Sequence, residues 1–111
     1  MTAAVAALGT LRHRVAIERP ADAPDGSGGV TRGFEPLTVA FARVEPLSAE
    51  ETMRGYALGL ARLHRVTIRA RGDVSGGCRV IWRGRTFDVL SVRERDDHGR
   101  FEELLCEEIR S

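Results

Sequence analysis

Apolar and charged residues alternate along several short stretches of this chain: LRHRVAIER, FARVEPLS, HRVTIRAR, CRVIWRGRTFDVLSV and RFEELLCEE. In the first, His13, Val15 and Ile17 face one way and Arg14, Ala16 and Glu18 the other, the period of two that marks a half-buried strand. Pro20 ends it. Residues 20–29, PADAPDGSGG, carry two prolines and three glycines, which predicts a long mobile hairpin loop or arm. The strand pattern resumes over 30–34 and 38–44, with Pro36 expected at an edge or a bend between them.

The period then changes. Ser48 and Glu51 stand at capping-box spacing, and Met53, Tyr56, Ala57 and Leu60 recur at helical intervals, so a short helix is expected near residues 49–58. Gly55 and Gly59 weaken it, each by about 1 kcal/mol relative to Ala. Such a helix needs tertiary or partner contacts and is a natural segment to change shape. Beyond it, His64, Val66, Ile68 and Ala70 alternate with Arg65, Thr67, Arg69 and Arg71, giving one apolar and one basic face.

Residues 72–77 read as a turn. Residues 78–82 and 85–92 are joined by Arg83-Gly84, a two-residue hairpin connection that sets Val80 opposite Phe87 and Arg79 opposite Asp88. In strict alternation, Leu90 and Val92 share the face of Asp88, while Phe87 and Val89 point the other way. The last strand, 101–109, is likewise apolar on both sides, with Phe101 and Leu105 on one and Leu104 and Cys106 on the other. One small barrel cannot bury both faces, so the helix or a neighbouring subunit is expected as cover. The fold class that follows is mainly β: a small antiparallel barrel of about six strands with one short helix.

A chain of 111 residues makes one domain with one core. Its net charge of +1 argues against wrapping nucleic acid by bulk electrostatics. Every cation is Arg and none is Lys, a usage that either a GC-rich coding bias or a need for planar, bidentate guanidiniums at crowded interfaces produces. Cys78 and Cys106 are too few for a disulfide framework or zinc site, so buried thiols in a reducing compartment are expected. The opening MTAAVAALGTL lacks a basic start and nothing later reaches membrane-spanning length, so a soluble cytosolic product without membrane contact is expected.

Catalytic chemistry does not assemble. His13, His64 and His98 lack metal-site spacing, and Asp96 and Asp97 beside His98-Gly99 read as a charged turn. Glu50-Glu51, Glu102-Glu103 and Glu107-Glu108 are adjacent pairs; on a strand such neighbours point to opposite faces and cannot share a substrate. GDVSGG has glycines but no Lys-Ser/Thr pair and no following helix, so it is no phosphate loop. No catalytic residue, cofactor or metal is expected. Arg62, Arg65, Arg69 and Arg71 near Trp82 and Phe87 suggest an alternative, an OB-like single-stranded nucleic-acid-binding module. The plainer reading is a solvated or subunit-facing basic face complementary to the Glu-rich last strand.

In their order and spacing, LRHRVAIERP, DGSGGV, FARVEPLSAEE, HRVTIR, GRTFDVLSV and ELLCEE make the chain resemble the head-closure (stopper), or head-tail adaptor, proteins of tailed bacteriophages and gene transfer particles. The resemblance covers the chain from residue 11 onward, leaving 1–11 as an N-terminal extension. It implies a ring, commonly dodecameric, beneath the portal and its adaptor, built in the bacterial cytoplasm and ending in the particle's neck. Such a ring retains packaged double-stranded DNA non-specifically, offers a docking surface to tail terminator or tail tube proteins, and catalyses nothing. Residues 47–62 are then the candidate DNA gate, with Glu50, Glu51, Arg54 and Tyr56 its polar and aromatic members. Head-to-tail closure places Arg65, Arg69 and Arg71, and Glu103, Glu107 and Glu108, near subunit seams. The arm, with Asp22, Asp25, Gly26 and Gly28, is expected to be fixed only on gripping a partner ring.

Overall fold

Val15 and Ile17 enter a closed core while Arg14, Ala16 and Glu18 stay outside, so β1 (His13–Pro20) forms as its alternation requires. The computed structural model describes residues 11–59, 62–94 and 99–109; the expectations for 1–10, Leu60 and 96–98 lie outside them. After β1 come β2 (Ala23–Pro24), β3 (Val30–Thr31), β4 (Phe34–Pro46), α1 (Ala49–Ala57), β5 (Leu63–Arg69), β6 (Arg79–Trp82), β7 (Arg85–Glu94) and β8 (Phe101–Ile109). Six strands close an antiparallel barrel in the order β1-β4-β5-β8-β7-β6, with β6 returning to β1 through Ile17↔Val80. Closure pairs the two strands that would otherwise be the edges of this sheet with each other. β2 and β3 make a separate two-stranded ribbon.

The core is filled by Ile17, Val66, Ile68, Val80, Phe87 and Leu104, with Cys78 and Cys106 among them as free thiols. Burial pushes the Cys106 thiol up to about 12, with the Asp88 charge adding to the shift. Val74, in the segment read only as a turn, also joins the core at 5% exposure. The β6–β7 hairpin has the expected register, Arg79↔Asp88 and Val80↔Phe87. Its turn residues Arg83 and Gly84 both take positive φ, 53° and 74°, as a tight hairpin of this hand requires.

Two bulges correct the strand reading. Pro36 does not divide two strands: β4 runs through it, and pairing steps from Ile17↔Thr38 to Glu18↔Pro36, leaving Leu37 as the extra residue. A bulge is one of the few places where a ladder tolerates a residue without an N–H. The second lies in β7, where Val89↔Cys106 is followed by Ser91↔Leu105 and Leu90 is skipped. Because side chains alternate with period two, one extra residue swaps every later face. Val92 therefore packs against the core instead of sharing the Asp88 face.

Ser48 and Glu51 form the reciprocal cap: the Ser48 N–H donates to Glu51 Oε1 and the Glu51 N–H to the Ser48 hydroxyl, both at 3.2 Å. The helix ends as the Leu58 N–H bonds Gly55 O at 3.0 Å and Gly59 turns left-handed at φ 79°. Gly55 is buried, Met53 and Arg54 are exposed, and the helix borders the outer face of the β5–β8–β7 wall beside Leu105.

Candidate functional site

Three features project from the barrel. The first is the arm, which is a built ribbon and not a bare loop. The Asp25 carboxylate accepts the N–H groups of Ser27 (2.8 Å) and Gly29 (3.0 Å), while Gly26 and Gly28 supply φ of 82° and 83° at the tip. Asp25 therefore spends one oxygen on its own turn, and Asp22 stays exposed. At the base, the Ala21 N–H donates to Gly33 O at 2.9 Å. There the Arg79 guanidinium lies 3.9 Å from the centre of the Phe34 ring and 3.4 Å from Asp88.

The second is α1 and the groove beneath it. Glu51 caps the helix with Oε1 and binds Arg65 Nη2 with Oε2, so one side chain both starts the helix and ties it to the wall. Its carboxyl is held below the ordinary range, first by the Ser48 backbone and hydroxyl and then by Arg65. Arg65 also reaches Glu103 (3.3 Å) and Glu45 (3.9 Å), and Arg93 binds Glu103 at 2.8 Å. Between helix and wall is a cavity of about 270 Å³ with Leu47, Leu58, Leu63 and Leu105 on its apolar side. Glu50 and Arg54 pair on the solvent side at 2.7 Å. Tyr56 belongs to the helix, but its side chain lies outside what is described.

The basic and acidic rows named from sequence sit on neighbouring strands of one wall, Arg65↔Leu105 and Arg69↔Phe101. Arg65 and Glu103 neutralise each other within the chain. Glu108 grips Arg85 through two bonds, 2.9 and 2.8 Å, which hold its carboxyl below the ordinary range. Arg71 lies past the end of β5, not on it; its side chain forks onto Asp73 at 3.0 and 2.9 Å and its N–H donates to Glu102. Glu107 faces Leu63 and Asp88 in the ladders. Arg69 is exposed.

A third feature escaped the sequence reading. On the outer face of β4, Val39 and Phe41 are 57% and 58% exposed, with the Arg14 guanidinium 5.9 Å from the Phe41 ring centre. The only available signal was alternation: Ala40 and Ala42 take the core side, which forces these larger neighbours outward.

His13 packs edge-on against Trp82 and His64 against Phe87, at 5.0 and 5.1 Å. No group of three or more potential metal ligands occurs among the described residues. Phe87 is wholly buried and cannot stack on bases, and Trp82 is flanked by Arg83 and Arg85 at 4.8 and 5.3 Å. Among the described residues no helix is long and apolar enough to cross a membrane.

The closed barrel thus carries on its outside a ribbon, a groove beside α1 and the exposed side chains of Val39 and Phe41. The family model of phage head completion proteins matches residues 7–109, and the chain belongs to that family, one of structural phage proteins and not of enzymes. Among solved structures, the chain is similar to the solution structure of protein SF1141 from Shigella flexneri 2a, at 26% identity and TM-score 0.74, covering 91% of this chain and 95% of that one. It also shares its fold with a chain from the virion of a native gene transfer agent particle, at 20% identity and TM-score 0.61, covering 90% and 96%. Comparison with curated proteins gives no match.

Proposed function

We propose that this protein is the stopper subunit of a phage-like particle: a homo-oligomeric ring, commonly dodecameric in such particles, between the portal and its adaptor above and the tail terminator or tail tube below. The carrying observation is the head completion match over nearly the whole chain, on a barrel that offers surfaces rather than reactive groups. The ring retains packaged double-stranded DNA and presents the docking face for the tail. It assembles in the bacterial cytoplasm and ends in the neck.

Within it, residues 47–62 are the gate. Elements that move come from the low-stability end of a structure, and α1 contains one glycine, ends at another, and is tied to the wall through Glu51. Glu50 and Glu51 repel phosphate and Arg54 attracts it. The arm grips the adjoining ring.

The test is complementation. Particles made without the protein should accumulate as filled, tailless heads that lose DNA, and adding the wild-type chain should restore joining. The same chain shortened between Thr52 and Leu58 should dock but leak. Heads that keep their DNA and acquire tails without the protein would overturn the stopper role. Heads sealed by the shortened, folded ring would remove the segment from gating.

A further inference from the structure

One end of the barrel carries polar and aromatic side chains in place of the aliphatic core. β1, β5 and β7 begin there and β6 and β8 end there, so His13, His64, Arg85, Trp82 and Glu108 hold the outermost core-side positions of their strands. They join into one mouth: the His13 and Trp82 rings are 5.0 Å apart, and Arg85 lies 5.3 Å from the Trp82 ring centre while it binds Glu108. Two more cations stand just beyond the strand ends. Arg83 is at the hairpin tip, 4.8 Å from the Trp82 ring centre, and Arg62 precedes β5, its carbonyl accepting the Glu108 N–H at 3.1 Å. Neither has a carboxylate within 4 Å among the described residues, so the Arg85–Glu108 pair leaves two guanidiniums there unneutralised.

The backbone singles out the same two residues. Arg62 and Arg83, at φ 52° and 53°, are the non-glycine residues with left-handed backbone among those described. Asn or Gly takes that conformation at less cost than Arg, and such strain persists where a side chain has a use. The mouth lacks the apolar anchor that a protein partner needs, since the exposed large apolar residues lie in β3 (Val30), in β4 (Val39 and Phe41) and at Met53 and Leu58. Charge without an anchor suits an extended polyanion. We propose that this mouth is the end of the subunit turned to packaged double-stranded DNA, with Arg62 and Arg83 each meeting a backbone phosphate. Phosphate contacts carry no sequence information and permit sliding, so a few from each subunit hold DNA of any sequence without fixing it. The inference rests on the stopper reading above and specifies which face meets DNA.

Tethered cleavage in filled heads tests it. Cys78 and Cys106 are buried and give a silent background. An iron chelate that generates hydroxyl radicals, coupled to Arg83→Cys, should nick the packaged DNA, whereas the same chelate on Val39→Cys, on the outer face of β4, should not. A neck that contains the protein but shows no excess of cuts from Arg83→Cys over Val39→Cys would overturn the mouth and leave the stopper reading standing; absence of the protein from the neck would overturn both. In solution, binding of a random-sequence duplex by the full chain should weaken linearly with salt on logarithmic scales. Arg62→Gln and Arg83→Gln, checked for folding by circular dichroism, should each reduce that slope by about one. Glu108→Gln should tighten binding by freeing Arg85, and Arg69→Gln, at the far end of β5, should leave the slope unchanged. Losses from Arg69→Gln as large as those from the mouth variants, or no loss from any of them, would overturn the proposal. Mouth variants that bind duplex as the wild type does yet fail to join tails would show that the mouth meets an acidic protein surface instead.

Discussion

Most of the charge chemistry in this protein is settled by single side chains finding partners across strands. Glu108 is paired with Arg85, which holds its carboxyl below the ordinary value of 4.5. A lowered carboxyl contributes stability that is fully present above the ordinary value and is lost as pH falls through the lowered one. Glu108→Gln should therefore cost stability at neutral pH, by about 1 kcal/mol or less because Arg85 is partly solvated, and should shallow the loss below pH 4.5. Urea titrations of both proteins between neutral and acid pH check this. A large, fully buried side chain behaves differently. Phe87 is 0% exposed and touches the rings of both His64 and Trp82, so Phe87→Ala should cost about 3–5 kcal/mol. That is a large share of the roughly 5–15 kcal/mol that holds a domain together. A chemical-denaturation midpoint unchanged by this substitution would show that the cavity collapses.

Among the elements, β7 is the one whose irregularity matters most. Its bulge at Leu90 sends Val92 into the core, and the chain at Gly76 passes so near that an added Cβ would stand 2.9 Å from the Leu90 carbonyl oxygen. Gly76→Ala should push on the bulge and destabilise the domain by about 1–3 kcal/mol, the usual cost of overpacking. The loss should be focused on residues 90–92, read as lost amide protection there before elsewhere. Gly72 offers the control, since a Cβ there meets nothing within 4 Å and only its φ of 83° opposes Ala. For α1, the cap was legible because Ser48 and Glu51 announce it in sequence. The tether to Arg65 was not, because it joins residues 14 apart on different elements.

For the whole molecule, the arm is separable from the barrel. Its ribbon pairs only with itself beyond Gly33, and no arm residue belongs to the core. Replacing residues 22–31 with a short Gly-Ser turn should change folding stability by no more than about 0.5 kcal/mol. The same change should impair joining if the arm grips an adjoining ring. Particle yields that match wild type would count against that role, whereas a collapse in stability would show the arm to be part of the fold.

How far each scale was legible depends on the range of the interactions that set it. Strand alternation, the Arg83-Gly84 turn and the Ser48–Glu51 cap act within a few residues, so a mainly β barrel, its hairpin and the helix capped by Ser48 were legible in the chain alone. Cys78 and Cys106 as buried thiols were an equally local judgement of residue type and spacing. Only the tertiary structure decided the rest. A bulge depends on the partner strand's register, so neither the continuity of β4 through Pro36 nor the inward turn of Val92 was visible in composition or period. The pairing of β5 with β8 set Arg65 beside Glu103, so one residue of each charged row is spent on an ion pair within the chain. Closure of the barrel left Val39 and Phe41 facing outward, because a barrel wall has only one inside and Ala40 and Ala42 had taken it.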